Sequence, residues 1–478
     1  MSLIRGYETV IGLEVHAELK TKTKIFCSCS TRFGAPPNTQ VCPVCLGLPG
    51  TLPVLNRQAV ELAVRAGVGL ECKISPSSSF ERKNYFYPDL PKAYQISPLT
   101  SPICYDGRIY VAGEDGEKRA VGVERIQIEE DAGKLFHEGG DTLIDHNRCG
   151  VPLIEIVSRP DIRSASEALE YLKRLRTILL FAGVSDCKMN EGSLRCDVNI
   201  SVRRRGEPLG TRCELKNLNS FKFIEKAIDY EARRQIDIIE SGGRVECETR
   251  RFDEDSRATY PMRKKESLSD YRFFAEPDLP VIRLCRSDIE DIVSRIPPSA
   301  DERGRMYRES FGLSGSDVEV LLKEVSVADF FEEAAKGTEY PKIAAGLITS
   351  VIMGLIQPDE RMDQKMEPHH LSAVAQMMGE GRINSQTAKR LAGELLEGDF
   401  DPEERAEREG LFRISDPERI RAFARVAIEK SEKAVADYRK GKAAAVKSII
   451  GKAMGESRGR ADPELIARAV EEMLAGDE

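Results

Sequence analysis

Four separated segments carry acids inside runs of apolar, strand-forming residues: Ile11–His16, Ile126–Asp131, Leu194–Ile200 and Cys213–Asn217. Side chains on a strand alternate between faces, so Glu14 projects with His16, Glu129 with Asp131, and Asp197 with Asn199. A carboxylate held among Ile, Leu and Val costs free energy to desolvate unless something positive meets it. Each such acid therefore calls for a positive partner, either a side chain or a bound cation. Acids converging from different strands suit a hard cation such as Mg²⁺, which points to metal-assisted phosphate chemistry rather than passive binding.

The 478 residues allow about two to four domains. The formal net charge of −8 argues against a general polyanion binder. The N-terminal residues Met1–Arg5 carry no apolar leader, and no later run approaches membrane-spanning length. The expectation is a soluble cytosolic protein with no membrane partner. Eight of the twelve cysteines stand singly among apolar or mixed residues, as reduced thiols do.

Up to about residue 285 the pattern is strands and turns with helices interposed. Val10–Leu19, Arg108–Val111, Val121–Ile128, Leu153–Val157, Asp197–Val202 and Arg212–Lys216 read as strands. Ser164–Phe181 reads as a helix with a Ser cap, Glu167 three residues on and a Leu stripe; Phe221–Ser241 reads likewise and stops at Gly242-Gly243. Without a regular strand–helix–strand rhythm, this predicts an α+β architecture. From Ser287 onward nearly every segment is helical in pattern, with breaks at Pro297-Pro298, Gly312–Gly315, Pro358, Pro368 and Gly398–Pro402. The expected division is 1–292, 293–407 and 408–478. Residues 413–460 hold 13 Lys and Arg against 6 Asp and Glu, inside an otherwise acidic chain. That surplus suits either a solvated helix face or a small helical module touching nucleic-acid backbone.

Cys27-Ser-Cys29 and Cys42-Pro-Val-Cys45-Leu-Gly are two close pairs joined by a short loop. The pattern matches a structural four-cysteine zinc site with no open coordination position; a redox Cys-x-x-Cys would not require the upstream pair. Phe80–Gln95 packs five aromatics and three cations into one short stretch, Arg82, Lys83, Tyr85, Tyr87 and Lys92 among them. It is either a rigid surface loop or a place where cations meet phosphate and rings meet a base. Lys134, Arg195 and Lys216 lie close to the acids in sequence, and acids with interleaved cations are what phosphoryl transfer needs. No Gly-x-x-x-x-Gly-Lys-Ser/Thr loop, no Gly-x-Gly-x-x-Gly turn and no amidase or glutaminase signature is present.

Together Gly12-Leu-Glu14-Val-His16, Arg82-Lys-Asn-Tyr-Phe-Tyr-Pro-Asp89, Glu129-Glu-Asp-Ala-Gly-Lys134, Gly150-Val-Pro-Leu-Ile-Glu155, Glu191-Gly-Ser-Leu-Arg-Cys-Asp197 and Glu214-Leu-Lys-Asn-Leu-Asn-Ser220 resemble the B subunits of the tRNA-dependent aspartyl/glutamyl amidotransferases, the GatB family. The likeness runs over essentially the whole chain. It implies a glutamine-synthetase-like cradle bearing the zinc-knuckle loop, then an all-α helical domain and a small helical tail that engages tRNA. It implies ATP-dependent phosphorylation of the side-chain carboxylate of Glu on tRNA(Gln), or Asp on tRNA(Asn). Amidation would follow, with ammonia passed from the amidase partner of a heterotrimer that a small third chain completes. By the same resemblance Glu14, His16, Glu129 and Glu214 are expected to ligate Mg²⁺, with Glu130 and Asp197 supporting them. Lys83, Lys92, Arg195 and Lys216 are expected to face phosphate oxygens as the reaction's cations. Arg82, Tyr85, Tyr87 and Lys134 are expected to bind ATP. Zinc on Cys27, Cys29, Cys42 and Cys45 is expected to be structural. Two other readings compete: a free-standing ligase acting on a small acid with free ammonia, and a zinc-bearing tRNA scaffold without catalysis.

Overall fold

In the computed structural model, residues 4–98, 100–113, 116–264, 268–357, 360–440 and 442–475 are described. The expected break at Pro358 lies outside them. The chain divides into two compact units, 1–300 and 301–478.

The first unit is built on a nine-stranded sheet. In chain order its strands are β1 (Tyr7–Glu18), β2 (Lys73–Ile74), β3 (Cys104–Ala112), β4 (Lys118–Glu130), β5 (Pro152–Ser158), β6 (Leu194–Arg204), β7 (Cys213–Lys216), β8 (Glu248–Asp253) and β9 (Ala258–Lys264), and across the sheet they run β9-β8-β7-β6-β1-β5-β4-β3-β2. Neighbours are antiparallel except β7 and β8. The central strand β1 has Leu13, Val15 and Ala17 fully buried, whereas Glu14, His16 and Glu18 between them keep some exposure. Period two thus gives the sheet an apolar face and a polar one.

Helices α1 (Arg57–Gly69), α2 (Ala165–Phe181) and α3 (Phe221–Glu240) share the core of the apolar face. In α2, Leu172, Leu175 and Leu179 are buried, and the Ser164 hydroxyl accepts from the Glu167 amide, as expected. Glu167 does not simply reach back to the cap. Its carboxylate accepts from the Arg163 amide and pairs with Arg119. Helix α3 ends at Ser241, and Gly242 with φ +80° turns the chain away. The six expected strands all form. Strands β8 and β9 do not follow from the sequence pattern, because Arg250 and Arg251 interrupt it; Arg250 is nevertheless buried, bonded to Thr259 and paired with Glu231 of α3.

Gly67 in α1 packs against β2 and β3. A Cβ there would press on the Cys104 sulfur and lie 3.0 Å from both Cys104 Cβ and Ile74 Cδ1. Gly67→Ala would gain about 1 kcal/mol of helix propensity but lose roughly 1–3 kcal/mol to overpacking. Net destabilisation is expected, read as a lower urea midpoint with unchanged m-value.

The second unit is helical. Val325–Lys336, Pro368–Gly379 and Ser385–Glu397 surround a cluster containing Phe330, Phe331, Leu371, Leu391 and Leu395. A separate cluster, with Ile420, Ile449, Ile466 and Val470, joins Pro417–Glu429, Val446–Glu456 and Pro463–Ala475. Side chains of Asn384, Asp401 and Asp416 cap their helices, the last two just ahead of a proline at the first helical position. Among the described residues no helix is long and apolar enough to cross a membrane.

Candidate active site

The polar face of the sheet floors a cleft of about 820 Å³. Five adjacent strands, β7-β6-β1-β5-β4, each deliver an acid to this face: Glu214, Asp197, Glu14, Glu155 and Glu129. Register explains the convergence. Asn199 opposes Glu214 and Gly12, Glu14 opposes Asp197, and His16 opposes Glu155. Directly opposed residues share a face, so acids far apart in sequence become neighbours.

His16 is the hub. Its Nε2 lies 3.5 Å from Glu155 and 3.9 Å from Glu14. Ligand atoms of Glu14, His16 and Asp197, and likewise of His16, Glu129 and Glu155, come within 4.8 Å of one another. Burial, then the charge of Glu155, pushes the Glu14 carboxyl up to about 7, and the same two causes raise Glu129. Burial opposes the charged form of His16, but its hydrogen bond to Glu155 and the surrounding acids carry it up to about 9. The acids therefore outweigh the cations here, and a bound divalent cation would relieve that imbalance. The carboxylate-rich donor set suits Mg²⁺ or another hard ion, with the His16 imidazole as the one softer donor.

Cations flank the acids. Lys216 pairs with Asp197 and lies 3.8 Å from Glu214, whose other oxygen accepts from Thr249 at 2.7 Å. Burial works against the Lys216 ammonium, but the charges of Asp197 and Glu214 hold its pKa above the usual lysine value. Lys83 lines the cleft with its ammonium 4.9 Å from the Tyr271 ring centroid and 5.6 Å from that of Tyr85, and Tyr87 lines it as well. Glu129 is held by Ser97 and Gln95.

Of the residues expected from the sequence, Glu14, Lys83, Tyr85, Tyr87, Glu129, Glu214 and Lys216 line this cleft, and His16 and Asp197 adjoin Glu14. The others lie elsewhere. Glu130 alternates to the opposite side from Glu129 and pairs with Lys92, so both leave the cleft lining. Arg82 alternates away from Lys83 and is taken up by Glu276 at 2.8 Å and Asp278 at 3.0 Å. Arg195 binds Asp131 at 2.7 Å, beyond the cleft lining. Lys134 sits on the hairpin Lys134–Glu138/Asp141–Asp145, its ammonium over Phe136. In each case a nearer acid or ring, or strand alternation, claims the cation first.

Glu155 was not among the residues expected from the sequence, although it stands between Ile154 and Ile156 and meets the same criterion as the four starting segments. Nor were Arg125, 3.8 Å from Glu155, and Asn199, whose side-chain oxygen is buried with no hydrogen-bond donor among the described residues. Strand alternation already puts Asn199 on the face of Asp197, but register sets it opposite Glu214, and Arg125 carries no local pattern of its own.

The four cysteines Cys27, Cys29, Cys42 and Cys45 form a second cluster, their sulfurs all within 4.8 Å of one another and free of disulfides. Four sulfurs so close fit a tetrahedral zinc with Zn–S bonds of about 2.3 Å.

A family model described as the GatB/GatE catalytic domain matches residues 9–290, and one described as the GatB domain matches 329–474. The B subunit of the aspartyl/glutamyl-tRNA(Asn/Gln) amidotransferase of Caldicellulosiruptor saccharolyticus is 47% identical to this chain, over 98% of the chain and 99% of the relative. Its namesake from Carboxydothermus hydrogenoformans is 45% identical over 99% and 100%. That of Caldanaerobacter subterraneus is 48% identical over 98% and 99%. With more than half the chain covered by the family models and near-full-length identity of this order, the chain belongs to the family of aspartyl/glutamyl-tRNA amidotransferase B subunits.

Proposed function

We propose that this chain activates and amidates the side-chain carboxylate of Glu on tRNA(Gln), of Asp on tRNA(Asn), or of both. The γ-phosphoryl group of ATP passes to a carboxylate oxygen, ADP leaves, ammonia attacks the carbonyl carbon, and phosphate departs with that oxygen. A carboxylate is a poor acceptor for ammonia until its oxygen becomes a leaving group, and the acyl phosphate must be shielded from water. The observation that carries the reading is the gathering of acids from five adjacent strands on one sheet face, four of them lining a single cleft with Lys83 and Lys216.

In this reading Glu14, His16 and Asp197, and His16, Glu129 and Glu155, hold Mg²⁺. When bound, Mg²⁺ would neutralise triphosphate charge. Lys83 and Lys216 meet phosphate oxygens, and Tyr85 and Tyr87 offer rings to the nucleotide. Zinc on the four cysteines staples the loop Cys27–Cys45. Ammonia comes from an amidase partner, in a heterotrimer with a small third chain, and the assembly works in the cytoplasm. The three-part division at 292 and 407 belongs to the same reading, with residues 408–478 engaging tRNA. Truncation after Glu407 is expected to weaken tRNA binding by roughly tenfold and flatten its salt dependence. Unchanged affinity and slope in a filter-binding titration would make the tail a solvated surface.

The test is ATP turnover by the chain assembled with its partners, comparing Glu-tRNA(Gln), Asp-tRNA(Asn), uncharged tRNA and free glutamate. Turnover confined to charged tRNA is the expected result. Equal turnover with free glutamate would move the protein to small-molecule ligases, and none at all would leave a scaffold.

A further inference from the structure

Lys24 is fully buried, and among the described residues no carboxylate lies within ion-pair distance of it. Its ammonium donates to the His146 carbonyl at 3.2 Å and to the Cys45 sulfur at 3.6 Å. Gly150, with φ +79°, lies over this contact; a Cβ there would sit 3.6 Å from Lys24 Cδ and 3.7 Å from Cys45 Cβ. The two acids lining the adjoining cavity are already engaged, Glu130 by Lys92 and the Ile96 amide, and Asp278 by Arg82 at 3.0 Å. An ammonium removed from water is costly unless an anion answers it. A carbonyl offers only a dipole, so the remaining counter-charge is the cysteine sulfur.

Four thiolates around Zn²⁺ carry a net charge of −2, which a buried site must balance. We propose that Lys24 is the charge-compensating residue of the four-cysteine metal centre, its N–H···S contact with Cys45 setting how tightly the centre holds zinc. This rests on the reading that the quartet binds zinc. Lys24 acts through Cys45 and does not itself ligate, so it is a positioning residue. The arrangement also gives its burial a reason: the cation is matched only when the sulfurs are metal-bound.

The test uses the full-length chain as wild type, Lys24→Met and Lys24→Arg. Zinc affinity is read by competition with a chromophoric chelator, and the sulfur environment by the charge-transfer band of the Co²⁺-substituted chain. Lys24→Met is expected to weaken zinc binding roughly 10–100-fold. It should also move the sulfur-to-cobalt band to longer wavelength, because the thiolate loses a donor. Lys24→Arg should hold zinc within a few-fold of wild type. The thermal midpoint should fall in metal-loaded Lys24→Met but hold or rise in the chelated chain, where the unmatched charge is gone. Wild-type affinity and spectrum in Lys24→Met, or an equal loss of stability with and without metal, would overturn the proposal while leaving the zinc reading intact. If the wild-type chain takes up neither metal, the zinc reading fails and takes the proposal with it.

Discussion

Glu155→Gln is expected to lower amidation by the assembled complex about 10²- to 10³-fold while leaving tRNA affinity within twofold. The substitution keeps the side chain's size and removes its charge from the most crowded point of the polar face. His16 would lose its 3.5 Å partner and Arg125 its acid at 3.8 Å. Divalent-cation charge stabilisation is worth several kcal/mol, and each 1.36 kcal/mol is a factor of ten in rate. The Glu155 carboxyl is ionised despite its burial because His16, then Arg125 and Lys83, favour the charged form. A neutral amide there therefore removes a full negative charge. Single-turnover phosphorylation of Glu-tRNA, together with Mn²⁺ binding followed by electron paramagnetic resonance, separates the roles. Both should fall together. Normal turnover in the variant would remove Glu155 from the site.

Cys42→Ser is expected to produce the largest stability loss of any single surface-loop change. Zinc present at a thousandfold above its dissociation constant would contribute about 4 kcal/mol. At roughly 2 °C per kcal/mol for a unit of this size, the first unfolding transition should drop by about 8 °C. The loop between Cys27 and Cys45 should also become the first site of limited proteolysis, since the chain there has little regular structure of its own. The acids of the cleft are contributed by other segments, so phosphorylation measured below the new midpoint should persist. Equal midpoints for wild type and Cys42→Ser in zinc-containing buffer would show that the quartet holds no structural metal.

Six strands of the sheet and the helices α2 and α3 were legible because period-two and period-3.6 patterns are local, and burial on one face enforces them. Glu14, Glu129, Asp197 and Glu214 were legible for a related reason: an acid within an apolar strand is anomalous on its own segment. Glu155 meets that criterion too and was equally readable, though it was missed. The cysteine quartet was visible because close pairs of the same soft ligand read directly from spacing.

Which cation meets which acid was not written locally. Lys92, Arg82 and Arg195 look equivalent to Lys83 and Lys216 along the chain, yet Glu130, Glu276 and Asp131 take the first three. Those acids lie 38, 194 and 64 residues away from their partners. Strand parity already separates Arg82 from Lys83 and Glu130 from Glu129, but only the order β7-β6-β1-β5-β4 says that five acids share one floor. The sequence thus determined that the chain has an acid-bearing sheet, a four-cysteine loop and a helical remainder. The tertiary structure decided which charges face the cleft, because ion pairing depends on distances of a few ångströms that sheet order and register alone create.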